Sequence, residues 1–184
     1  MKPNPPEGGT PNQSTVAAAL CRRTLKQENI MNENYSELIT GFPLFNGFTV
    51  DGTKRILDAG EVKDCAPGDV LLKEGDSADF ALLVLTGTLE VFVERNGQDL
   101  ILTEAQPGTI LGELALICGI PRSASVRAKE PSTVLEWSDE TLRTLLLRDR
   151  SLAQRIFRQA LRTLIEKEQS LIDELAKKQG AANR

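Results

Sequence analysis

The sequence predicts an α+β protein. An antiparallel β-roll, a jelly-roll-like barrel, has helices before it, two helices after it and one short helix set inside it. Three observations carry this prediction. Between Glu61 and Trp137 the chain keeps strand spacing, with turn signals at Pro67-Gly68, Gly75-Asp76, Gly87, Asn96-Gly97 and Pro107-Gly108. Many short strands at that interval favour a closed barrel or jelly roll, which avoids exposed edges. The run Leu114 to Ile117 interrupts these strands with a short helix, and after Trp137 the apolar period becomes helical.

Residues 1–15 are rich in Pro, Gly, Asn and Ser without an apolar pattern, and read as a disordered tail. Residues 16–60 form an N-terminal helical segment. Val16 to Thr40 supports a helix that Asn29, Asn32 and Asn34 weaken, and Gly41 to Phe45 ends it, offering Phe42, Leu44 and Phe45 to the core. Asp51 to Gly60 reads as a short helix with Asp51 as its N-cap. The run Val16 to Leu20 is too short for a signal-peptide core, and no stretch approaches a membrane span.

Residues 61–137 hold the strands. Leu89, Val91 and Val93 alternate with Glu90, Phe92 and Glu94, which predicts an inward and an outward face. Phe80 to Leu85 is apolar on both faces, as in a strand covered on both sides, and Asn96-Gly97 marks a two-residue hairpin.

Residues 138–184 are helical. Ser138 caps a helix to about Arg148, and a longer helix runs from about Ser151 to Lys178. In it Phe157, Leu161, Leu164, Glu168, Leu171 and Leu175 alternate in steps of four and three, a heptad seam broken at Glu168 and widened by Ile165 and Ile172. Leu152 and Ile156 lie on another face, placed to pack back on the barrel. The seam runs past what a small barrel can cover, so it predicts a homodimer through paired helices. Arg155, Arg158, Arg162 and Lys167 make this helix locally basic, which a solvated face explains better than nucleic-acid binding does.

Composition narrows the function classes. A net charge of −4 makes the whole molecule a poor electrostatic match for nucleic acid. Without histidine the chain has no His general base, no His-dependent triad and no His metal site, so neither an enzyme nor a metal or cofactor is expected. Cys21, Cys65 and Cys118 fall in no ligand pattern and read as reduced thiols of a cytoplasmic protein, with Cys118 a small buried filler.

The stretch from Leu111 to Ala128 carries the chemistry. Gly112-Glu113 opens the short helix, Gly119 and Pro121 stop it, and Arg122 follows at once. A helix start leaves unpaired backbone N–H groups that favour an anion, and a guanidinium grips phosphate oxygens in two places. Glu113 would repel that anion, and makes sense if it accepts hydrogen bonds from hydroxyls of the same ligand. Phosphate plus hydroxyls points to the sugar of a nucleotide.

Gly112-Glu113-Leu114-Ala115-Leu116 followed by Arg122-Ser123-Ala124 resembles the phosphate-binding cassette of the cyclic nucleotide-binding domain family, over residues 111–124 and with no departure from its pattern. That family includes protein kinase A regulatory subunits, catabolite activator proteins and cyclic nucleotide-gated channels. The resemblance implies that Glu113 takes the ribose 2′-hydroxyl and Arg122 the cyclic phosphate, with amides near Leu114, Ala115 and Ser123 completing the cradle. Lys73 to Asp76 and Leu85 to Gly87 resemble the family's glycine turns. Val91, Leu102 and Thr103 fall where the family lines its base and sugar pocket, although alternating apolar residues are usually core.

By the same resemblance the helix after the barrel folds over the base and carries the signal, with Arg162, Thr163 and Lys167 the candidates to face it. Ser123 leans towards cAMP over cGMP. The chain ends at Arg184, which leaves no room for a DNA-binding helix-turn-helix. The expectation is therefore a stand-alone cyclic nucleotide sensor acting through an effector protein or its own dimer. Two alternatives stand beside it, a dimeric scaffold that binds nothing and a metal-dependent barrel enzyme that would lack its usual histidine ligands.

Overall fold

A computed structural model describes residues 35–182. The expectations for the tail, for residues 16–34 and for Cys21 lie outside the described residues, as do those for the side chains of Lys167, Leu171 and Leu175. After a helical stretch at residues 35–40 (α1) and a 3-10 turn at Pro43–Phe45 come α2 (Val50–Asp58), β1 (Glu61–Cys65), β2 (Val70–Leu72), β3 (Phe80–Thr86), β4 (Leu89–Arg95) and β5 (Gln98–Ala105). The chain continues through β6 (Ile110–Leu111), α3 (Glu113–Cys118), β7 (Ser125–Ala128), β8 (Ser132–Ser138), α4 (Asp139–Arg148) and α5 (Arg150–Ala182).

Two four-stranded antiparallel sheets, ordered β1-β8-β3-β6 and β2-β7-β4-β5, face each other as a β-roll. The period of two in β3 explains why it is apolar throughout. Leu82 and Val84 pack between the sheets with Leu89, Val91, Val93, Val126 and Val134. Ala81, Leu83 and Leu85 face the opposite way and pack beneath Phe45, Ile56, Leu57, Leu142, Leu152 and Ile156 of the helices. One buried strand therefore joins both halves of the core. Trp137 adds a tie from β8, donating its indole N–H to the Ile56 carbonyl at 3.0 Å.

Several expectations are met. Asn96 and Gly97 both have positive φ, 56° and 75°, the geometry of the tight hairpin that joins β4 to β5. Phe42, Leu44 and Phe45 are buried, and the Ser138 hydroxyl caps α4 by accepting from the Thr141 amide at 3.2 Å. Leu152 and Ile156 anchor α5 to the barrel.

Four details differ. Thr49, not Asp51, caps α2, because its hydroxyl accepts from the Gly52 amide at 3.1 Å and the helix begins one residue before Asp51. Helix α5 runs from Arg150 to Ala182, longer than expected, with the Asp149 carboxylate taking the Leu152 amide at 2.9 Å. Phe92 is buried on the outer face because the Arg127 guanidinium lies 4.5 Å from its ring centroid. Cys118 is exposed, since α3 ends on the surface rather than in the core. Among the described residues no helix is long and apolar enough to cross a membrane.

A candidate nucleotide-binding cavity

The strand-to-helix corner between β6 and α3 turns on Gly112. Its φ of 81° is left-handed, and a Cβ there would overlap Nη1 of Arg122. Only glycine satisfies both conditions. Helix α3 then closes at Gly119, also left-handed at φ 65°, and the chain returns through Arg122 to β7.

Arg122 is pinned at its backbone and at its side chain. Its amide donates to the Asp76 carbonyl and its carbonyl accepts from the Gly75 amide, both at 2.9 Å, so the glycine turn after β2 sets its position. Its Nη1 donates to the Gly112 carbonyl at 2.8 Å and its Nη2 to the Phe80 carbonyl at 2.6 Å. The guanidinium also lies 5.0 Å from the Phe80 ring centroid. Arg122 is only 4% exposed, and its Nη2 also lies 3.8 Å from the carboxylate of exposed Asp79. Burial pushes the guanidinium down from its ordinary value, while Asp79, Glu113 and Asp76 push it back up. An arginine remains charged under such pressure. The result is a buried cation that two backbone carbonyls fix in place.

A cavity of about 230 Å³ opens in front of it. One wall is Gly112, Glu113, Leu114 and Ala115, and another is Arg122, Ser123 and Ala124. Val91 and Thr103 face in from the adjoining β4 and β5. Glu113 is buried with its backbone in the first turn of α3, close enough to Arg122 to act on its charge. Thr163 of α5 completes the lining, its hydroxyl donating to the Gln159 carbonyl at 3.2 Å. The cavity thus brings a cation, a carboxylate and a helix start against apolar strand faces.

Two expected site residues are not part of this lining. Leu102 is the unpaired residue of a bulge, because Thr103 pairs with Val91 while Ile101 pairs with Phe92; it is 41% exposed. Arg162 points to a different groove, beside Pro107 and Pro43. Leu72, Ala105, Leu111 and Val126, none of them expected to touch a ligand, also line the cavity. They come from four different strands, so no local spacing brings them together. A larger cavity of about 840 Å³ lies between α2 and the α4–α5 corner, and it mixes Arg55 and Arg148 with Glu140 and Asp149 at its edge. Among the described residues no group of three or more Cys, Asp or Glu is placed to hold a metal.

Comparison with known proteins agrees with this geometry. Residues 62–149 match the family model described as "Cyclic nucleotide-binding domain". The chain is 34% identical over 115 residues to a cAMP-dependent protein kinase regulatory subunit of Blastocladiella emersonii, a match covering 62% of this chain and 28% of that protein. Among solved structures, the catabolite activator protein of Thermus thermophilus superposes with a TM-score of 0.65 at 27% identity, over 73% of this chain and 63% of that one. A cyclic nucleotide-binding domain from Methylobacillus flagellatus superposes with a TM-score of 0.62 at 26% identity, over 82% and 85%. The chain therefore spans well under a third of that curated relative, and the likeness concerns the barrel and its flanking helices. Sequence, fold and cavity together place residues 62–149 of this chain in the cyclic nucleotide-binding domain family.

Proposed function

We propose that this protein is a cyclic nucleotide sensor. It binds cAMP in preference to cGMP in the cavity between α3, β7 and the β4–β5 hairpin, and it acts by binding rather than by catalysis, in the cytoplasm. The observation that carries this reading is Arg122, a buried guanidinium fixed at the wall of a cavity that it shares with buried Glu113 and the first turn of α3. The guanidinium takes a cyclic phosphate in the cavity, and the amides of Leu114, Ala115 and Ser123 add donors. Glu113 accepts the ribose 2′-hydroxyl, Val91 and Thr103 border base and sugar, and Ser123 carries the preference for cAMP. Thr163 is the residue of α5 that meets the ligand.

Helix α5 is also the means of output. It packs on α4 and α3 and lines the cavity through Thr163, so a ligand that binds better with α5 docked shifts its population towards that state. The exposed seam of α5 mates with a second copy. An effector protein or the partner helix receives the change.

Isothermal titration with cAMP and cGMP tests the reading, with Arg122→Ala as control. Loss of a charge-assisted phosphate contact costs roughly 1.5–3 kcal/mol, a tenfold or greater loss of affinity. The expected result is saturable binding, tighter for cAMP and weakened at least that much by the substitution. No heat with either nucleotide would replace the sensor by the non-binding scaffold.

A further inference from the structure

The basic face of α5 is not used by the nucleotide cavity. Arg155, Arg158 and Arg162 line a separate groove of about 380 Å³ whose opposite wall is Pro43-Leu44 and Pro107 to Thr109, and no acidic residue lines it. On a chain of net charge −4 this is a local reversal of sign. Elsewhere Arg95, Arg127 and Arg143 each meet a carboxylate, whereas Arg158 and Arg162 are exposed and make no ion pair among the described residues. Arg155 is held in place by donating to the Leu44 carbonyl at 3.1 Å and by lying 5.5 Å from the Phe48 ring centroid. It fixes one end of the groove and leaves the other two guanidinia available.

We propose that this groove docks an acidic protein segment, one bearing Asp or Glu at alternate positions. The spacing favours a chain over a single small anion. Residues 155 to 162 advance about 10 Å along a helix, more than one phosphate can bridge. An extended segment repeats its side chains on one face at roughly 6.6 Å, so two or three carboxylates match the three arginines. Guanidinium forks pair with carboxylates in two places, and the proline rings opposite give the segment an apolar wall. Nucleic acid fits less well, because the groove is short and the surrounding molecule is acidic.

The test uses the full chain, free of nucleotide, and a fluorescein-labelled peptide of alternating Glu and Ala, read by fluorescence anisotropy. A Gln-for-Glu peptide and a single-stranded oligonucleotide of equal charge serve as comparison probes. The expected result is saturable binding of the acidic peptide alone, weakened as salt rises from about 50 to about 150 mM. Arg158→Glu with Arg162→Glu should reduce the affinity at least tenfold, and Arg158→Gln with Arg162→Gln should reduce it less, with melting temperatures unchanged. Absent peptide binding, binding indifferent to these substitutions, or equal affinity for the oligonucleotide would each overturn the proposal. Because no nucleotide is present, none of these outcomes bears on the cyclic nucleotide reading, which the titration with Arg122→Ala decides separately.

Discussion

Two carbonyl oxygens hold the buried Arg122 guanidinium, and Gly112 makes that arrangement possible. The Gly112 carbonyl accepts from Nη1, while the missing Cβ leaves the space that the same nitrogen occupies. Gly112→Ala therefore does two kinds of damage. It forces a side chain into left-handed backbone, at about 1–2 kcal/mol, and it pushes a guanidinium that two carbonyls hold in place. The expected outcome is a melting temperature lower by roughly 2–8 °C and a nucleotide affinity that falls well beyond what lost stability explains. Calorimetry on folded protein separates the two effects. An unchanged affinity in the variant would show that Arg122 is free to move, contrary to the geometry. The cassette was legible in the sequence because its parts are adjacent in the chain and their types are chemically restrictive. The Phe80 carbonyl that holds Nη2 was not legible, since any residue could supply it from a distant strand.

At the scale of elements, alternation and capping signals gave the strands of the barrel and the helices after it, and they failed where a second element decides the outcome. Phe92 sits on the outward register of β4 yet is buried, because Arg127 of the neighbouring β7 covers it while pairing with Glu90 and Asp99. Leu102 lost its place in the pocket to a bulge, which no single strand announces. Arg162 and Thr163 are adjacent, about 100° apart around α5, and only the packed helix shows that Thr163 faces the cavity.

The elements are also tied by charge. Arg95 at the end of β4 donates to both oxygens of Glu74 in the turn after β2, at 3.0 and 2.8 Å. That hydrogen bonding holds the Glu74 carboxyl below its ordinary range. The folded value lies below the unfolded one, so whatever the pair contributes is present above about pH 4.3 and lost as pH falls through the lower folded value. Because the pair is exposed, its effect on stability is small, and the direct measurement is the carboxyl titration of Glu74 by NMR. Its midpoint should lie below that of an ordinary glutamate and return to normal in Arg95→Gln. A normal midpoint in the wild type would mean that the pair does not persist in solution.

For the whole molecule, α5 is the element on which the separate surfaces meet. Thr163 faces the nucleotide cavity, Arg158 and Arg162 face the basic groove, and Phe157, Leu161, Leu164, Ile165 and Ile172 are exposed. The barrel cannot cover that apolar seam. A helix of 33 residues is about 50 Å long, whereas the longest strand, at 8 residues, spans roughly 27 Å. Exposed apolar residues at heptad spacing are most readily satisfied by an equivalent helix, and a twofold pair needs only one copy of the sequence to supply both sides. The wild type is thus expected to sediment as a dimer at micromolar concentration, and Leu161→Asp with Ile165→Asp as a monomer. Both side chains are largely exposed, at 58% and 51%, so neither substitution should unfold the barrel, and cyclic nucleotide binding should persist in the monomer. If dimerisation also biases the docked position of α5, the monomer should bind with altered affinity, since coupling between the two equilibria is reciprocal. Sedimentation velocity with and without cAMP measures both quantities in one series. A wild type that remains monomeric throughout would leave the seam without a second copy and require a different partner for α5.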